Sequence, residues 1–203
     1  MRILAIETAT EACSVALFED GVPLGACHEV LGRGHAERLV PMIAELPDKG
    51  RAEQIRVSLG PGSFTGVRIG LAVARALGIA WQAEVRGYPT LALVAAMAQA
   101  ERRVAATVCM TGGHREWFVQ DFDAEGLPAS PLASLAPEAA ARRGVSAILA
   151  GSKAIELGQL TAVSPGSVRL PDARHALALP ESLLRAELAP LYGRPPDARP
   201  PGR

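Results

Sequence analysis

The chain has no excess of charge of either sign: Lys and Arg together number 21, and so do Asp and Glu. It therefore lacks the basic footprint of a protein that grips nucleic acid alone, and any such contact has to be shared with a partner. Lysine is nearly missing, with Lys49 and Lys153 the only two beside many arginines, a bias that carries no functional reading. Aromatic residues make up 4%, so the core must be built from Ala, Val, Leu and Ile, whose small side chains imply close packing of elements. The three cysteines, Cys13, Cys27 and Cys109, have no Cys-x-x-Cys spacing, which argues against a disulfide framework and against a zinc site. No run of 18 uncharged apolar residues occurs, and the opening MRILAIETAT reaches Glu7 before any signal-like stretch. The expectation is a cytoplasmic, soluble protein with no membrane partner.

What is present is 203 residues, 49% of them hydrophobic, enough for one domain or two closely packed subdomains. Residues 2–8 and 12–18 read as strands, Glu19-Asp20-Gly21 as a hairpin turn and 22–30 as the returning strand, an antiparallel meander at the very start. Helical spacing of Leu39, Val40, Met42, Ile43 and Leu46 predicts a helix over 35–46, bent at Pro41. Residues 47–51 form a polar turn, and 54–59 a strand that runs into the glycine-rich 60–66.

The helix that follows, 67–82, is apolar except for Arg68, Arg75 and Gln82, which lie seven apart on one stripe. Such a helix needs cover on two sides. Gly66, Gly70, Ala74 and Gly78 recur every four residues, a face fit for close approach of another helix, of a partner or of the same chain. A helix over 89–100 with Thr90 as its N-cap leads to a charged break at 101–103, taken as the boundary between a first subdomain, 1–103, and a second, 104–192. The second half reads as strands at 104–109, 116–122 and 145–150 and helices at 137–143, 153–158 and 181–188. The Pro-rich tail, 193–203, is expected to be extended or disordered.

The glycine-rich turn, Gly60-Pro61-Gly62-Ser63-Phe64-Thr65-Gly66, has two readings. Backbone N–H groups at a helix N-terminus attract anions, but the P-loop signature requires a lysine after its last glycine, and Val67 follows Gly66 here. The other reading, a strand-to-helix turn capped by Ser63 or Thr65, comes ahead of it. No two of His28, His35, His114 and His175 lie at metal-binding spacing. Glu7 and Glu11 could be paired carboxylates, yet a loop with no fixed cation predicts solvated acids. No Gly-x-Ser-x-Gly elbow occurs.

Three stretches, residues 6–17 (IETATEACSVAL), 59–70 (LGPGSFTGVRIG) and 189–198 (APLYGRPPDA), together resemble the TsaB (YeaZ-type) family of tRNA threonylcarbamoyladenosine biosynthesis subunits, a glycoprotease-like group. The resemblance covers the first hundred residues well and the second half mainly through its closing segment. It implies an α/β protein of actin-like (sugar kinase/Hsp70-like) ATPase fold, with two small subdomains each of a mixed sheet and helices. It also implies a non-catalytic scaffold that binds a TsaD-type catalytic subunit and a TsaE-type ATPase and meets tRNA only within their complex. No catalytic residue, metal or intrinsic cofactor is expected, with ATP or ADP confined to the complex interface and a homodimer when the chain is alone.

The expected interface is His35, Arg38, Leu39, Met42, Arg68, Gly70, Val73, Ala74 and Leu77. The family fold places phosphates near the first hairpin, so Thr8, Thr10, Gly60, Gly62, Ser63, Thr65 and Gly66 form a candidate nucleotide or phosphate loop. The family's catalytic relative carries a His-x-x-x-His metal motif that has no counterpart here, and Met110–Phe118 departs from the family pattern. The alternatives are a nucleotide-binding ATPase or phosphotransferase of the same fold, and behind it a metal-independent endopeptidase.

Overall fold

A computed structural model describes residues 1–193; the expected tail, apart from Gly193, and the end of the closing motif lie outside the described residues. The meander forms as its alternation demands. Strands β1 (Arg2–Glu7), β2 (Ala12–Glu19) and β3 (Val22–Val30) pair antiparallel. Asp20 and Gly21, with φ of 49° and 83°, supply the two left-handed positions of the tight turn. Helix α1 (His35–Ala44), 3-10 turn Pro47–Gly50, strand β4 (Gln54–Ser58), helix α2 (Phe64–Trp81) and strand β5 (Glu84–Tyr88) complete a five-stranded sheet of order β3-β2-β1-β4-β5. β4 runs parallel to both β1 and β5.

Helix α3 (Thr90–Ala98) leads to the second sheet, of order β8-β7-β6-β9, made of β6 (Ala106–Thr111), β7 (Trp117–Phe122), β8 (Ala133–Leu135) and β9 (Ile148–Ala150). Helices α4 (Pro137–Arg142) and α5 (Ala154–Thr161) complete it. Each sheet is mixed, which gives the expected α/β architecture of two sheets with helices, opening on a three-strand meander.

The cores follow the alternation of the strands. Leu4, Ile6, Val15, Leu17, Ile55 and Val57 face α1 and α2, while Ile3, Ala5, Ala16 and Phe18 face the 3-10 turn Ala173–Ala178. In the second sheet Val108, Met110 and Phe122 pack on α3, and Cys109, Val119 and Leu149 on α4 and α5. The layers run α1/α2, first sheet, the 173–178 turn with α3, second sheet, α4/α5.

The structure corrects several expectations. β5 was not expected, because Arg86 and Gly87 interrupt its short pattern; Gly87 is needed since a Cβ there would collide with Leu59. α2 starts three residues earlier than its apolar pattern, at Phe64. Thr90 is the first residue of α3 rather than its cap, and its buried Oγ1 has no hydrogen-bond partner. No helix covers 181–188; only the 3-10 turn Glu181–Leu183 forms. From there the chain returns to the first sheet: Arg185 and Gly87 exchange backbone hydrogen bonds of 2.8 Å each, and Leu191 N–H donates to the Leu59 carbonyl at 2.7 Å.

Candidate functional site

The glycine-rich segment is a turn clamped onto the first hairpin. Ser63 N–H donates to the Ala9 carbonyl at 2.6 Å, and Thr8 Oγ1 donates to the Gly66 carbonyl at 2.8 Å. A Cβ on Gly62 or Gly66 would collide with the Ala9 or Thr8 carbonyl oxygen, so both positions require glycine for close approach. Ser63 Oγ accepts the Gly66 N–H at 3.1 Å, the capping arrangement that the sequence favoured.

Beside the turn is a cleft of about 430 Å³, which draws on Ala9, Thr10, Glu11, Gly62, Ser63 and Phe64 from the first half and Met110–Gly113 and Ser152 from the second. Of the candidate loop, only Thr10, Gly62 and Ser63 line it. Thr8, Gly60 and Gly66 are buried as structural supports, and Thr65 is exposed away from the lining. Among the described residues Glu11 is the one charged residue of the lining, which offers no lysine or arginine to a chain of phosphates.

Glu7 and Glu11 do not behave as a solvated pair. Glu11 is exposed, but Glu7 is fully buried at the end of β1, beneath the turn. Its Oε1 accepts the Ala9 N–H at 2.7 Å, and its Oε2 has no partner. Burial pushes its carboxyl up to about 7, against smaller opposing effects from the Ala9 N–H and the Ser58, Tyr88 and Thr90 hydroxyls. The only sequence signal was an acid closing an otherwise apolar strand. Glu7 is outside the cleft lining. Burial likewise pushes the Cys13 and Cys109 thiols up to about 12, leaving them unreactive. Among the described residues no group of three or more His, Cys, Asp or Glu could hold a metal ion.

The second feature is the outer face of α2. The small-residue stripe points inward: Gly66 and Gly70 abut Thr8, Gly78 abuts Val85, and Ala74 is completely buried. Phe64, Arg68, Ala72, Arg75, Ala76, Ile79 and Ala80 face outward, with Phe64 59% and Ile79 82% exposed. On α1, Val40 is 53% exposed.

The expected interface set therefore divides. His35, Leu39, Met42, Gly70 and Ala74 are buried within the chain, where His35 Nε2 lies 3.3 Å from the Ala12 carbonyl. Arg38 is taken up by Glu29 at 2.6 Å and Glu45 at 2.7 Å, an intrachain tie between β3 and α1. Val73 and Leu77 are half-buried against the first core, and of the set only Arg68 is exposed. Sequence reasoning missed Phe64, Ile79 and Tyr192. The Arg68 guanidinium lies 3.4 Å from the Phe64 ring centroid, Arg68 Nη2 donates to Tyr192 Oη at 2.9 Å, and the two rings are 6.2 Å apart.

Comparison with known proteins places this geometry. Residues 22–175 match the family model described as "TsaD: tRNA N6-adenosine threonylcarbamoyltransferase". The tRNA threonylcarbamoyladenosine biosynthesis protein TsaB of Escherichia coli is 38% identical over 135 residues, 63% of this chain and 58% of that protein. The TsaB of Haemophilus influenzae is 40% identical over 105 residues, 49% and 43% of the two chains. The match thus spans about half the length of these curated relatives. An uncharacterized protein of Mycobacterium tuberculosis is 31% identical across 98% of this chain and 94% of its own. The solved structure of YeaZ from Pseudomonas aeruginosa superposes with a TM-score of 0.75 at 31% identity, covering 88% of this chain and 89% of that one.

Proposed function

This chain belongs to the TsaD family, tRNA N6-adenosine threonylcarbamoyltransferase, as a TsaB/YeaZ-type member, and from that premise we propose that it is a non-catalytic subunit of a tRNA threonylcarbamoyladenosine-forming complex. Its role is to hold a TsaD-type catalytic subunit, with a TsaE-type ATPase joining the pair and tRNA met only within the assembly. The observation that carries this reading is α2: an apolar helix of 18 residues, only 33% of it buried, outermost in its layer. An apolar helix left open on one side is a surface awaiting a partner. Its inner face is locked onto β1 and β4 through Gly66 and Gly70, so it cannot leave the sheet to cross a membrane even though it is long enough.

Non-catalytic status is supported by what the cleft and the nucleophiles offer. A phosphotransferase has to hold both its phosphates and their metal ion, and among the described residues the cleft lining offers a single carboxylate, Glu11, and no lysine or arginine for that task. A peptidase needs an activated nucleophile, whereas the buried thiols are held protonated. ATP or ADP would therefore bind with residues supplied by another subunit, and the free chain would cover its open helix with a second copy.

The test is light scattering on a sizing column, with the chain alone and mixed with the TsaD-type protein of the same organism, for wild type and Ile79→Asp. The expected result is a wild-type 1:1 complex that the variant does not form while keeping its helical circular dichroism. A variant that binds as well as wild type would move the interface elsewhere, and no complex with wild type would end the scaffold reading.

A further inference from the structure

The outer face of α2 is not uniformly apolar. Arg68 and Arg75 stand seven residues apart on it, which places them about two turns, or about 10 Å, from each other along one line. The helix itself, FTGVRIGLAVARALGIAW, contains no Asp or Glu. Among the described residues neither arginine is in an ion pair, although Arg38, Arg56, Arg143 and Arg174 all are.

Both guanidinium groups are nevertheless held in place. Arg68 stacks on Phe64 and donates to Tyr192 Oη, and Arg75 Nη2 donates to the Leu188 carbonyl at 2.8 Å. Both acceptors belong to the returning segment 185–192, which is pinned by the backbone bonds of Arg185 to Gly87 and Leu191 to Leu59 and by Leu188 and Leu191 packed on the first core. Glu187 of that segment is exposed, and among the described residues no ion pair joins it to either arginine. The segment orients the two cations with neutral acceptors and leaves their charge and most of their N–H donors available.

We infer that the α2 face recognises a partner helix carrying two carboxylates about two turns apart, one for Arg68 and one for Arg75, with small or apolar residues between them. This rests on the scaffold reading and adds what selects the partner. The charge pattern also decides between occupants. A second copy docked across a two-fold axis through the middle of α2 would set Arg68 against the other copy's Arg75 and bring like charges together twice. An acidic helix meets the same pair with attraction, and the apolar strip supplies burial in either case. Charge thus works for the heteromeric complex and against the homodimer, and the two respond to salt with opposite sign.

The experiment is calorimetric titration of the whole chain with the whole TsaD-type subunit at low and high NaCl, for wild type, Arg68→Met/Arg75→Met and Arg68→Lys/Arg75→Lys. Sedimentation of each chain alone runs beside it, and circular dichroism confirms the fold. We expect the methionine pair to weaken the complex roughly tenfold or more and to flatten its salt dependence, while the lysine pair retains most of the affinity. The methionine variant alone should self-associate more strongly than wild type, and the wild-type homodimer should strengthen as salt rises. A methionine variant that binds like wild type at both salt concentrations overturns this inference and leaves the scaffold reading standing. So does a wild-type homodimer that weakens as salt rises. A wild-type chain that forms no complex at either salt concentration overturns both.

Discussion

Helices α2 and α3 are both predominantly apolar and free of Asp and Glu, yet they have opposite fates. In α3 the stretch Thr90–Ala95 is buried on every side, pressed between the second sheet and the 173–178 turn. In α2 only the stripe through Gly66, Gly70, Ala74 and Gly78 and its flanks is covered, and Ile79 stands 82% exposed. Both read as helices too apolar for a surface, so the pattern of residues cannot separate a central helix from a docking helix. What separates them is layer position: α3 lies between two sheets, α2 outside one. An apolar helix in an outer layer is where a partner is to be sought.

That contrast can be broken or sharpened by substitution, and the largest effect belongs to α3. Leu93→Ala removes a completely buried side chain and should cost about 2–5 kcal/mol of stability in urea unfolding, with partner affinity of the remaining folded fraction unchanged. A small cost would mean that α3 is loosely held and the contrast false.

The next effect lies where β1 ends against α3. The Glu7 carboxyl sits at about 7 in the folded chain against an ordinary 4.5, so the folded state holds this proton more tightly than the unfolded one. Its contribution is fully present below 4.5 and is lost as pH rises through 7, a decline of roughly 3 kcal/mol. Urea titrations at pH 5 and pH 8 should show that decline in wild type and not in Glu7→Gln. Equal slopes would place the carboxyl in contact with water.

Gly66→Ala tests the inner stripe of α2. Its new methyl group meets the Thr8 carbonyl and should cost about 1–3 kcal/mol by forcing helix and hairpin apart, seen as an earlier urea midpoint. Neutral behaviour would mean that the clamp is soft. The smallest change in stability is expected on the outer face, where Ile79→Ala should move the unfolding free energy by no more than about 0.5 kcal/mol while weakening partner binding.

Much of this was legible. The meander, the capped glycine-rich turn and the helices after it follow from alternation, an Asp-Gly turn and a serine placed three residues before Gly66, all of which act locally. The orientation of α2 was not, because its small-residue stripe serves a sheet as well as a helix, and only the collisions with Thr8 and Val85 decide between them. That is why Gly70 and Ala74 were expected at an interface and are found in the core. Glu7 was read as solvated because burial of a strand's last residue depends on the turn folded over it fifty residues later. The path of the returning segment was not legible, since pairings of Gly87 with Arg185 and Leu59 with Leu191 hold it, and although Tyr192 stood in the closing motif, nothing local placed it beside Arg68. Fold and family were in the motifs; the selective details were in long-range contacts.

The most direct test of the central claim is hydrogen–deuterium exchange of the chain with and without its TsaD-type partner, read by mass spectrometry on peptides spanning 64–81, 90–98 and 185–192. The account predicts that the partner slows exchange in 64–81 and in 185–192 and leaves 90–98 unchanged. Protection confined to the second sheet, with 64–81 unaffected in a complex shown to be formed, would contradict it.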